Sequence, residues 1–402
     1  MEKIVVIGAG QAGASCVAKL RAEGFDGRIT LIGEEHVPPY QRPPLSKAYL
    51  LGDMALERLF LRPESYYAEN GIDLTLDTTV QAIDRAERKV IAGGRAVPYD
   101  ALVLATGSVP RRLPAGIGGE LDGVHVVRTL KDVDEMAPGI VPGARALIVG
   151  GGYIGLEAAA VCRKKGLEVT LIEAAPRILA RVACPETSAW FRELHASHGV
   201  DLREGVGLTR LEGVGGRVGG AILSDASAHP CDLVIAGIGV TPATALAEAA
   251  GIEVENGVRV DATGRTSDPA IWAAGDCASL PFRGARIRLE SVQNAIDQAE
   301  AVARNILGAD EDYVPHPWFW SDQYDVKLQI AGLNAGYTDV VVRQAGAGRS
   351  HWYYAGPTLL SVDAMNDPRA YMVGKRLIEG GMSPDPAAVA DPQTDLKALL
   401  RP

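Results

Sequence analysis

The sequence contains few aromatic residues and no long hydrophobic run. Phe, Trp and Tyr make up 5% of the 402 residues, so the hydrophobic cores must be mostly aliphatic. No apolar stretch reaches the roughly 20 residues that a membrane-spanning helix needs. Met1 is followed at once by polar residues and an apolar strand, not by a signal peptide. These absences predict a cytoplasmic protein without membrane association.

Cysteine is also scarce. The five cysteines are scattered along the chain, and none forms a Cys-x-x-Cys pair. The seven histidines show no metal-ligand spacing. We therefore expect neither a disulfide framework nor a metal or iron–sulfur site in this chain. The cysteines are Cys16, Cys162, Cys184, Cys231 and Cys277.

Basic residues are fewer than acidic residues. The chain has 40 Lys and Arg against 50 Asp and Glu, which gives a formal net charge of −10. Nonspecific binding to nucleic acid needs a basic surface, so we expect no nucleic-acid partner. An acidic partner protein would have to dock on a local basic patch, against the overall field.

The sequence does contain a repeated pattern of apolar strands, glycine-rich turns and helices. Two such βαβ units of the same design lie about 140 residues apart, which predicts a duplicated nucleotide-binding fold. The first has predicted strands at Lys3–Ile7 and Arg28–Ile32, with a helix through Arg21 between them. The second has predicted strands at 144–149 and 167–172, with a helix from about Ile154 to Lys165.

Other apolar segments complete the predicted organisation. Buried strands are expected at 101–107, 233–238 and 271–276, and a helix at about 291–306. After Pro315 the pattern changes to Trp, Tyr and alternating strands at 326–331, 339–343 and 350–354, which is typical of a small α+β domain. The last ten residues are expected to form a short helix or a loose tail.

The first unit carries the glycine-rich turn GAGQAG, which begins at Gly8 and opens a helix. In such a turn Gly8 permits a tight bend, Gly10 lets backbone amides approach a pyrophosphate, and Gly13 lets helix and strand pack closely. The helix N-terminus favours the phosphate charge. Glu34, just past the second strand, can accept hydrogen bonds from an adenosine ribose. The pattern predicts a dinucleotide site, the alternative being a strand–helix turn without a ligand.

The second unit repeats the pattern in GGGYIG, from Gly150 to Gly155. Glu173 ends the following strand, where a carboxylate binds a ribose 2′-hydroxyl and repels a 2′-phosphate. Residues 174–176 are Ala, Ala and Pro, so no arginine stands beside Glu173 to receive a phosphate. The sequence therefore favours NADH, and Arg177 leaves NADPH open as the alternative.

Two dinucleotide sites in one chain suggest that one holds a flavin and the other a nicotinamide. A nicotinamide gives a hydride, whereas a flavin can accept two electrons and release them singly. The pairing implies either a two-electron acceptor or a conversion to one-electron chemistry. No Ser/His/Asp or Cys/His arrangement is needed for this, and none is evident.

Further segments carry a family resemblance. They are Glu34, RPPLSK from Arg42 to Lys47, GGGYIGLE from Gly150 to Glu157, AGD from Ala274 to Asp276, and LESVQNA from Leu289 to Ala295. Together they resemble the FAD-dependent ferredoxin reductases of bacterial cytochrome P450 and aromatic-ring dioxygenase systems, with apoptosis-inducing factor as a more distant relative. The resemblance covers nearly the whole chain.

The resemblance implies a glutathione-reductase-like fold. Its class is α/β, with two Rossmann-like dinucleotide-binding domains and a small C-terminal α+β domain. The FAD domain would comprise residues 1–107 and 243–315, the NAD domain 108–242, and the C-terminal domain 316–402.

The resemblance also assigns roles to residues. Lys47 would lie near the isoalloxazine ring, and Glu157 near the nicotinamide, where it could pair with Lys47. Such a pair is much stronger in a dry site than on the surface, and the alternative is an ordinary helix-face salt bridge. The implied FAD contacts are Gly8, Gly10, Ala12, Gly13, Glu34 (ribose), Arg42, Lys47, Val80, Ala105, Arg128, Gly275, Asp276 (ribityl chain) and Val292 (pyrimidine edge). The implied NAD contacts are Gly150, Gly152, Tyr153, Ile154, Gly155, Glu173 and Gly239.

Two surface features follow from the same family. Trp320, in the run WFWSDQY, would lie near the flavin and the ferredoxin face, although it could equally be the core of a small β-layer. A docking surface would use scattered cations, each of which could equally be ordinary solvated surface. The candidate cations are Arg283, Arg286, Arg288, Arg369, Lys375 and Arg376. One departure from the family is Ala243 after Thr241-Pro242, where Asn is frequent, and it affects only that turn.

The implied activity is electron transfer from NADH through FAD to a small [2Fe-2S] ferredoxin. The ferredoxin would be a transient, acidic partner that carries the iron–sulfur cluster, and the reductase would be a monomer or weak dimer. Three alternatives stay open. A disulfide reductase would need a reactive cysteine near the flavin, and Cys16 on the first helix is the nearest in sequence. The acceptor could instead be rubredoxin or another one-electron carrier, or the protein could be a flavoprotein that switches partners with its redox state.

Overall fold

The computed structural model describes residues 1–401 and divides into two compact units. Unit 1 comprises Met1–Gln41, Ala55–Val109 and Val240–Pro317. Unit 2 comprises Arg42–Met54, Pro110–Gly239 and the chain from Trp318 onward. The three-domain boundaries expected from the sequence stay a prediction.

The secondary structure alternates strands and helices through both units. The strands are β1 (Lys3–Ile7), β2 (Arg28–Ile32), β3 (Ile72–Thr75), β4 (Val80–Asp84), β5 (Lys89–Ala92), β6 (Arg95–Pro98), β7 (Ala101–Leu104), β8 (Ser108–Pro110), β9 (Val124–His125), β10 (Arg145–Val149), β11 (Glu168–Glu173), β12 (Asp201–Glu204), β13 (Leu208–Val214), β14 (Arg217–Leu223), β15 (Ala228–Pro230), β16 (Leu233–Ala236), β17 (Val240–Pro242), β18 (Val258–Arg259), β19 (Ile271–Ala273), β20 (Ala278–Phe282), β21 (Ala285–Ile287), β22 (Trp318–Gln323), β23 (Val326–Gly332), β24 (Asp339–Ala345), β25 (Gly348–Ala355) and β26 (Thr358–Met365). The helices are α1 (Gln11–Ala22), α2 (Ala48–Leu51), α3 (Glu64–Glu69), α4 (Leu130–Met136), α5 (Tyr153–Lys164), α6 (Pro185–Ser197), α7 (Ala245–Ala249), α8 (Val292–Ile306), α9 (Pro368–Glu379) and α10 (Pro386–Ala390).

Unit 1 is built on a parallel sheet of order β19-β7-β1-β2-β3. Four of its strands, β1, β2, β7 and β19, are mostly apolar and almost entirely buried because both faces of the sheet are covered. Ile4 and Val6 pack into a core with residues of α1 and α8, whereas Val5 and Ile7 point to the opposite face. A three-stranded antiparallel sheet, β4-β5-β6, contributes Val90 to the core on that opposite face.

Unit 2 repeats the parallel design in a sheet of order β12-β11-β10-β16-β9. The antiparallel sheet β13-β14-β15 packs beside it, since Leu211 and Val218 share a core with Leu147 and Val234. The C-terminal part forms an antiparallel sheet of order β22-β23-β26-β25-β24, on which α9 packs. This layout agrees with the predicted α/β class with a small C-terminal α+β part.

The predicted strands at Lys3–Ile7 and Arg28–Ile32 are confirmed to the residue. The strand predicted at 101–107 was too long, because it ends at Leu104 where the chain turns toward Gly107 with φ +69°. The prediction missed helix α6, strand β26 and helix α9. Among residues 1–401 no helix combines the length and the apolar character that crossing a membrane requires.

Candidate functional site

The turn after β1 has the geometry of a phosphate-binding loop. Gly8 has φ +110°, and a Cβ added there would lie 2.1 Å from the Ala105 carbonyl oxygen. A Cβ on Gly13 would lie 1.9 Å from the Gly8 carbonyl oxygen, so helix α1 packs directly on the turn. At Gly10 no atom of residues 1–401 beyond its chain neighbours lies within 4 Å of an added Cβ. The loop thus presents bare backbone at the N-terminus of α1, which fits a pyrophosphate.

The turn after β10 has the same geometry. Gly150 has φ +108°, and its added Cβ would lie 2.5 Å from the Gly237 carbonyl oxygen. A Cβ on Gly155 would lie 2.0 Å from the Gly150 carbonyl oxygen, and Gly152 again faces open space within the described part of the chain. Both loops therefore fit the pyrophosphate of a dinucleotide, one in each unit.

Glu173 stands directly beside the second loop. Its two carboxylate oxygens accept hydrogen bonds from the Gly151 and Ala175 backbone N–H groups, each at 2.7 Å. Each oxygen keeps lone pairs for further donors such as ribose hydroxyls. Arg177, the cation that left NADPH open, donates instead to the Ser188 hydroxyl at 2.5 Å and to nearby carbonyls. This geometry favours a 2′-hydroxyl over a 2′-phosphate at this position.

The equivalent position in unit 1 holds a glycine. The first two strands of each parallel sheet pair in the same register, so Gly33 stands where Glu173 stands in unit 2. A Cβ on Gly33 would lie 2.5 Å from the Ala9 Cβ, which leaves no room for a side chain. A ribose carboxylate in the first site must therefore come from a later residue.

Two carboxylates follow Gly33. Glu34, the residue predicted from the sequence, is exposed, whereas Glu35 is half-buried and accepts a hydrogen bond from the Tyr40 hydroxyl at 2.7 Å. Glu35 was not among the residues predicted from the sequence, where its place beside Glu34 was the signal for it. The role of Glu34 stays a prediction.

The other FAD residues of unit 1 lie on the turns after its strands. Ala105 follows β7 and donates its N–H to the Ile7 carbonyl, and Val80 begins β4 half-buried. Gly275 has φ +79°, and an added Cβ would lie 3.0 Å from the Ala12 Cβ. This close approach explains why no larger residue occupies that turn.

Serine hydroxyls fix Asp276 and the N-terminus of the helix that begins at Val292. The Asp276 carboxylate accepts a hydrogen bond from the Ser108 hydroxyl at 2.9 Å. Val292 is the first residue of α8, whose N-cap Ser291 accepts a hydrogen bond from the Asn294 N–H at 3.1 Å. The N-terminus of α8 therefore carries the positive end of the helix dipole beside Val292.

Two predicted FAD contacts, Arg42 and Arg128, belong to unit 2. Arg42 donates a hydrogen bond from Nη1 to the Arg128 carbonyl at 2.8 Å. The Arg128 N–H in turn points to Asp132, the third residue of a capping box that opens α4. Their contact with FAD stays a prediction.

The strongest polar cluster of unit 2 surrounds Glu157. This side chain lies on α5, one turn after Tyr153, and is buried. Lys47 Nζ lies 2.7 Å from Glu157 Oε2, so the ion pair implied by the resemblance is present. The side chains are 18% and 5% exposed, which distinguishes the pair from an ordinary helix-face salt bridge.

Two serines donate further hydrogen bonds to Glu157. The Ser46 hydroxyl donates to Oε2 at 2.6 Å, and the Ser321 hydroxyl donates to Oε1 at 2.7 Å. Ser46 ends the 3-10 turn Pro43–Ser46, in which the two prolines fix the backbone just before Lys47. Three donors therefore fix both oxygens of this buried carboxylate. Both serines lie in motifs that carry the family resemblance, but no role was predicted for either from the sequence.

The remaining NAD residues lie around the second loop. Ile154 is exposed, and Gly239 has φ +94°. The Tyr153 ring contacts Phe319, with centroids 4.9 Å apart. Its hydroxyl is buried without a partner among residues 1–401, and burial raises the pKa of Tyr153 well above its usual value.

Trp320 lies on β22, half-buried, with its ring 5.6 Å from that of Trp318. Trp318 itself packs against the C-terminal core. The location of Trp320 near a flavin stays a prediction.

All five cysteines are free thiols and buried. Burial raises the pKa of Cys16 and of Cys162 to about 12, and that of Cys231 to about 11. A buried thiol with a raised pKa is a poor nucleophile at neutral pH. No thiol of the described residues therefore has the environment that a disulfide reductase requires.

The six candidate docking cations differ in their surroundings. Three of them have carboxylate partners: Arg286 with Glu255, Arg288 with Glu290 and Lys375 with Glu379. Arg283 lies over the Phe282 ring, 4.9 Å from its centroid. Arg369 and Arg376 are exposed on α9.

Comparison with known proteins places this geometry in a family. Residues 2–299 match the family described as pyridine nucleotide-disulphide oxidoreductase, and residues 318–400 match the one described as reductase C-terminal. The chain is 45% identical to a ferredoxin–NAD(P)+ reductase from Sphingomonas sp., over 99% of this chain and 98% of that protein. It is 42% identical to rhodocoxin reductase from Rhodococcus erythropolis, over 99% and 94%.

A solved structure, the covalent complex of putidaredoxin reductase with putidaredoxin, is similar with a TM-score of 0.96. That match has 39% identity and covers 99% of this chain and 98% of the reductase chain. These findings confirm the resemblance and the fold class predicted from the sequence, and FAD and NAD(H) as the cofactors. The chain therefore belongs to the pyridine nucleotide-disulphide oxidoreductase family and is an oxidoreductase of the ferredoxin–NAD(P)+ reductase type.

Proposed function

We propose that the protein transfers electrons from NADH, through bound FAD, to a [2Fe-2S] ferredoxin that serves a cytochrome P450 or a ring-hydroxylating oxygenase. The observation that carries this proposal is the pair of glycine loops with the same geometry, one in each unit. Two dinucleotides on one chain are suited to electron transfer from a nicotinamide to a flavin.

The first loop holds the flavin dinucleotide. The bare backbone around Gly10 receives the pyrophosphate at the N-terminus of α1, and Glu34 binds the adenosine ribose. Asp276, fixed by Ser108, binds the ribityl chain, and the N-terminus of α8 faces the pyrimidine edge at Val292. When bound, FAD accepts a hydride and releases electrons one at a time.

The second loop holds the nicotinamide dinucleotide. Gly152 admits the pyrophosphate, and Glu173 accepts hydrogen bonds from the ribose hydroxyls. Arg177 donates to Ser188, and the hydrogen bonds that Glu173 accepts within the chain come from the Gly151 and Ala175 backbone N–H groups. The coenzyme is therefore NADH, and the Glu173 carboxylate discriminates it from NADPH.

The Lys47–Glu157 pair is the catalytic element of this proposal. Lys47 would supply a cation to the flavin, and Glu157, one helical turn after the second loop, pairs with that cation. A fixed ion pair in a dry site needs little reorganisation when charge moves between two cofactors.

The acceptor is a one-electron protein and not a disulfide. The buried cysteines leave no reactive thiol in the described chain. We further assign an acidic, transient ferredoxin, a monomeric or weakly dimeric reductase and a cytoplasmic location. Arg369 and Arg376 are the exposed candidate cations for the ferredoxin contact.

The test compares acceptors under steady-state turnover. NADH oxidation by the FAD-loaded protein would be measured with a [2Fe-2S] ferredoxin from a P450 system, with rubredoxin, and with glutathione disulfide. The expected kcat/KM is roughly 100-fold higher for ferredoxin than for the disulfide, because no thiol can accept electrons from the flavin. A disulfide or rubredoxin that equals or exceeds ferredoxin would replace the proposed acceptor.

A further inference from the structure

One face of β22 runs along helices α5 and α6. Residues 319, 321 and 323 alternate onto this face with the period of two that a strand imposes. Phe319 contacts the Tyr153 ring, and the Ser321 hydroxyl donates to Glu157. Gln323, the third residue, is fully buried and reaches His195 on α6.

The polar contacts on this face form a continuous hydrogen-bonded chain. Gln323 Nε2 donates to the Ser321 oxygen at 3.1 Å. Gln323 Oε1 lies 2.8 Å from His195 Nε2, and His195 Nδ1 lies 3.3 Å from the Tyr324 hydroxyl. The chain therefore links Tyr324, which is half-buried, to the buried carboxylate of Glu157 in four steps.

The direction of each bond in the chain is fixed by chemistry. An amide oxygen only accepts, so His195 must carry its proton on Nε2 and donate it to Gln323. Burial lowers the pKa of His195 to about 4, so the ring is neutral at pH 7 and Nδ1 is free to accept from Tyr324. The amide N–H of Gln323 and the hydroxyl of Ser321 then donate onward, and every donor in the chain points toward Glu157.

We propose that Ser321, Gln323 and His195 are positioning residues that orient the Glu157 carboxylate for flavin reduction by NADH. The inference rests on the proposed function of the Lys47–Glu157 pair. A chain of aligned donors is mutually polarised, so its last hydrogen bond, from Ser321 to Glu157, is stronger than an isolated one. The two oxygens of Glu157 then have separate partners: Ser321 on Oε1, and Lys47 with Ser46 on Oε2.

The same chain is unsuited to carry protons. A proton relay needs groups that accept a proton on one side and release one on the other, and a glutamine amide at neutral pH does neither readily. Gln323 interrupts any relay between His195 and Ser321. The chain therefore acts through the position of Glu157.

The test is a set of single variants studied as FAD-loaded proteins. Ser321→Ala removes the donor to Oε1, and we expect flavin reduction at saturating NADH to slow roughly tenfold while the Kd for NADH changes less than about twofold. Ser321→Thr keeps the hydroxyl and should restore the rate of flavin reduction.

A second readout does not depend on turnover. The absorbance maximum of the oxidised flavin, recorded without NADH, reports the placement of charged groups beside the ring. We expect Ser321→Ala to shift this maximum relative to the wild type. Gln323→Met, which keeps a similar volume without the amide, should shift it in the same direction by about half as much.

The matched control is Ser361→Ala. Ser361 is as buried as Ser321 and lies in the same C-terminal sheet, but its hydroxyl donates to the Ala331 carbonyl and not to Glu157. If Ser321→Ala has the rate of flavin reduction and the flavin absorbance maximum of Ser361→Ala, the positioning role is wrong. If wild-type flavin is reduced by NADH with the predicted shifts but no ferredoxin accepts electrons, the proposed function fails and the positioning role stands.

Discussion

The two glycine loops share a backbone and differ in what surrounds them. In both, the first glycine has a left-handed φ, the second faces open space and the third packs against the first. The residue after the last pair between the first two strands of each parallel sheet is Gly33 in unit 1 and Glu173 in unit 2. The shared backbone suits a pyrophosphate, so the cofactor identity must come from the neighbouring side chains.

A second difference lies one turn into each helix. In chain order the position of Glu157 on α5 corresponds to Ser15 on α1, counted from the last glycine of each loop. Glu157 is a buried carboxylate in an ion pair, whereas Ser15 is half-buried beside the Gln11 amide. The loop of unit 2 is therefore followed by a buried, ion-paired carboxylate at the position where the loop of unit 1 is followed by a half-buried serine.

The largest expected effect comes from filling the two open glycine positions. Gly10 and Gly152 have φ −99° and −80°, so a side chain there causes no backbone strain. Gly10→Val should weaken FAD retention by about 100-fold or more, and Gly152→Val should weaken NADH binding similarly while FAD stays bound. Flavin content after gel filtration and NADH titration of the holoprotein measure the two effects. Loss of FAD from Gly152→Val would reverse the assignment of the loops.

The next effect tests the ion pair. Glu157→Gln keeps the shape of the side chain and leaves Lys47 without a counter-charge, so flavin reduction by NADH should slow about 100-fold. Stopped-flow absorbance at the flavin band measures the rate. The control is Ser15→Ala at the corresponding position of α1, for which we expect a rate within about twofold of the wild type. Equal rates in Glu157→Gln and Ser15→Ala would show that the pair has only a structural role.

A smaller effect is expected at the coenzyme ribose. Glu173→Ala removes the carboxylate that accepts from a 2′-hydroxyl and repels a 2′-phosphate. The ratio of kcat/KM for NADH to that for NADPH should fall by roughly 10- to 100-fold, the value of one or two charged hydrogen bonds. An unchanged ratio would contradict the role of Glu173.

The smallest effect distinguishes the two carboxylates after Gly33. Glu34→Ala should weaken FAD retention by about threefold to tenfold, because an exposed ribose contact contributes little. Glu35→Ala should leave FAD retention unchanged and lower the free energy of unfolding by about 1 kcal/mol, through loss of the Tyr40 hydrogen bond. FAD titration and urea unfolding separate these outcomes, and a greater loss of FAD in Glu35→Ala would move the ribose contact to that residue.

The sequence predicts local features well. The strand Lys3–Ile7 is a continuous apolar run because both faces of its sheet are buried, and Gly8 is required by the backbone alone. These signals lie within a few residues of one another. The family resemblance added the Lys47–Glu157 pair, whose members lie 110 positions apart and carry no local signal for each other.

The serine contacts of that pair could not be predicted from the sequence. Ser321 is 164 positions from Glu157, and a serine in a strand is commonplace. Its role depends on the register that brings β22 alongside α5, which only the folded chain defines. The position of Gly33 could not be predicted either. The run GEE after a strand does not show which of its three residues follows the last residue paired between β1 and β2.

The central claim is the conversion of one hydride from NADH into single electrons for a ferredoxin. The most direct measurement is anaerobic: one equivalent of NADH is added to the yellow FAD-loaded protein, then oxidised [2Fe-2S] ferredoxin, while both spectra are followed. We expect NADH to bleach the flavin absorbance, and this absorbance to recover as two ferredoxins are reduced per flavin. A flavin that is bleached by NADH and stays bleached in the presence of oxidised ferredoxin would contradict it.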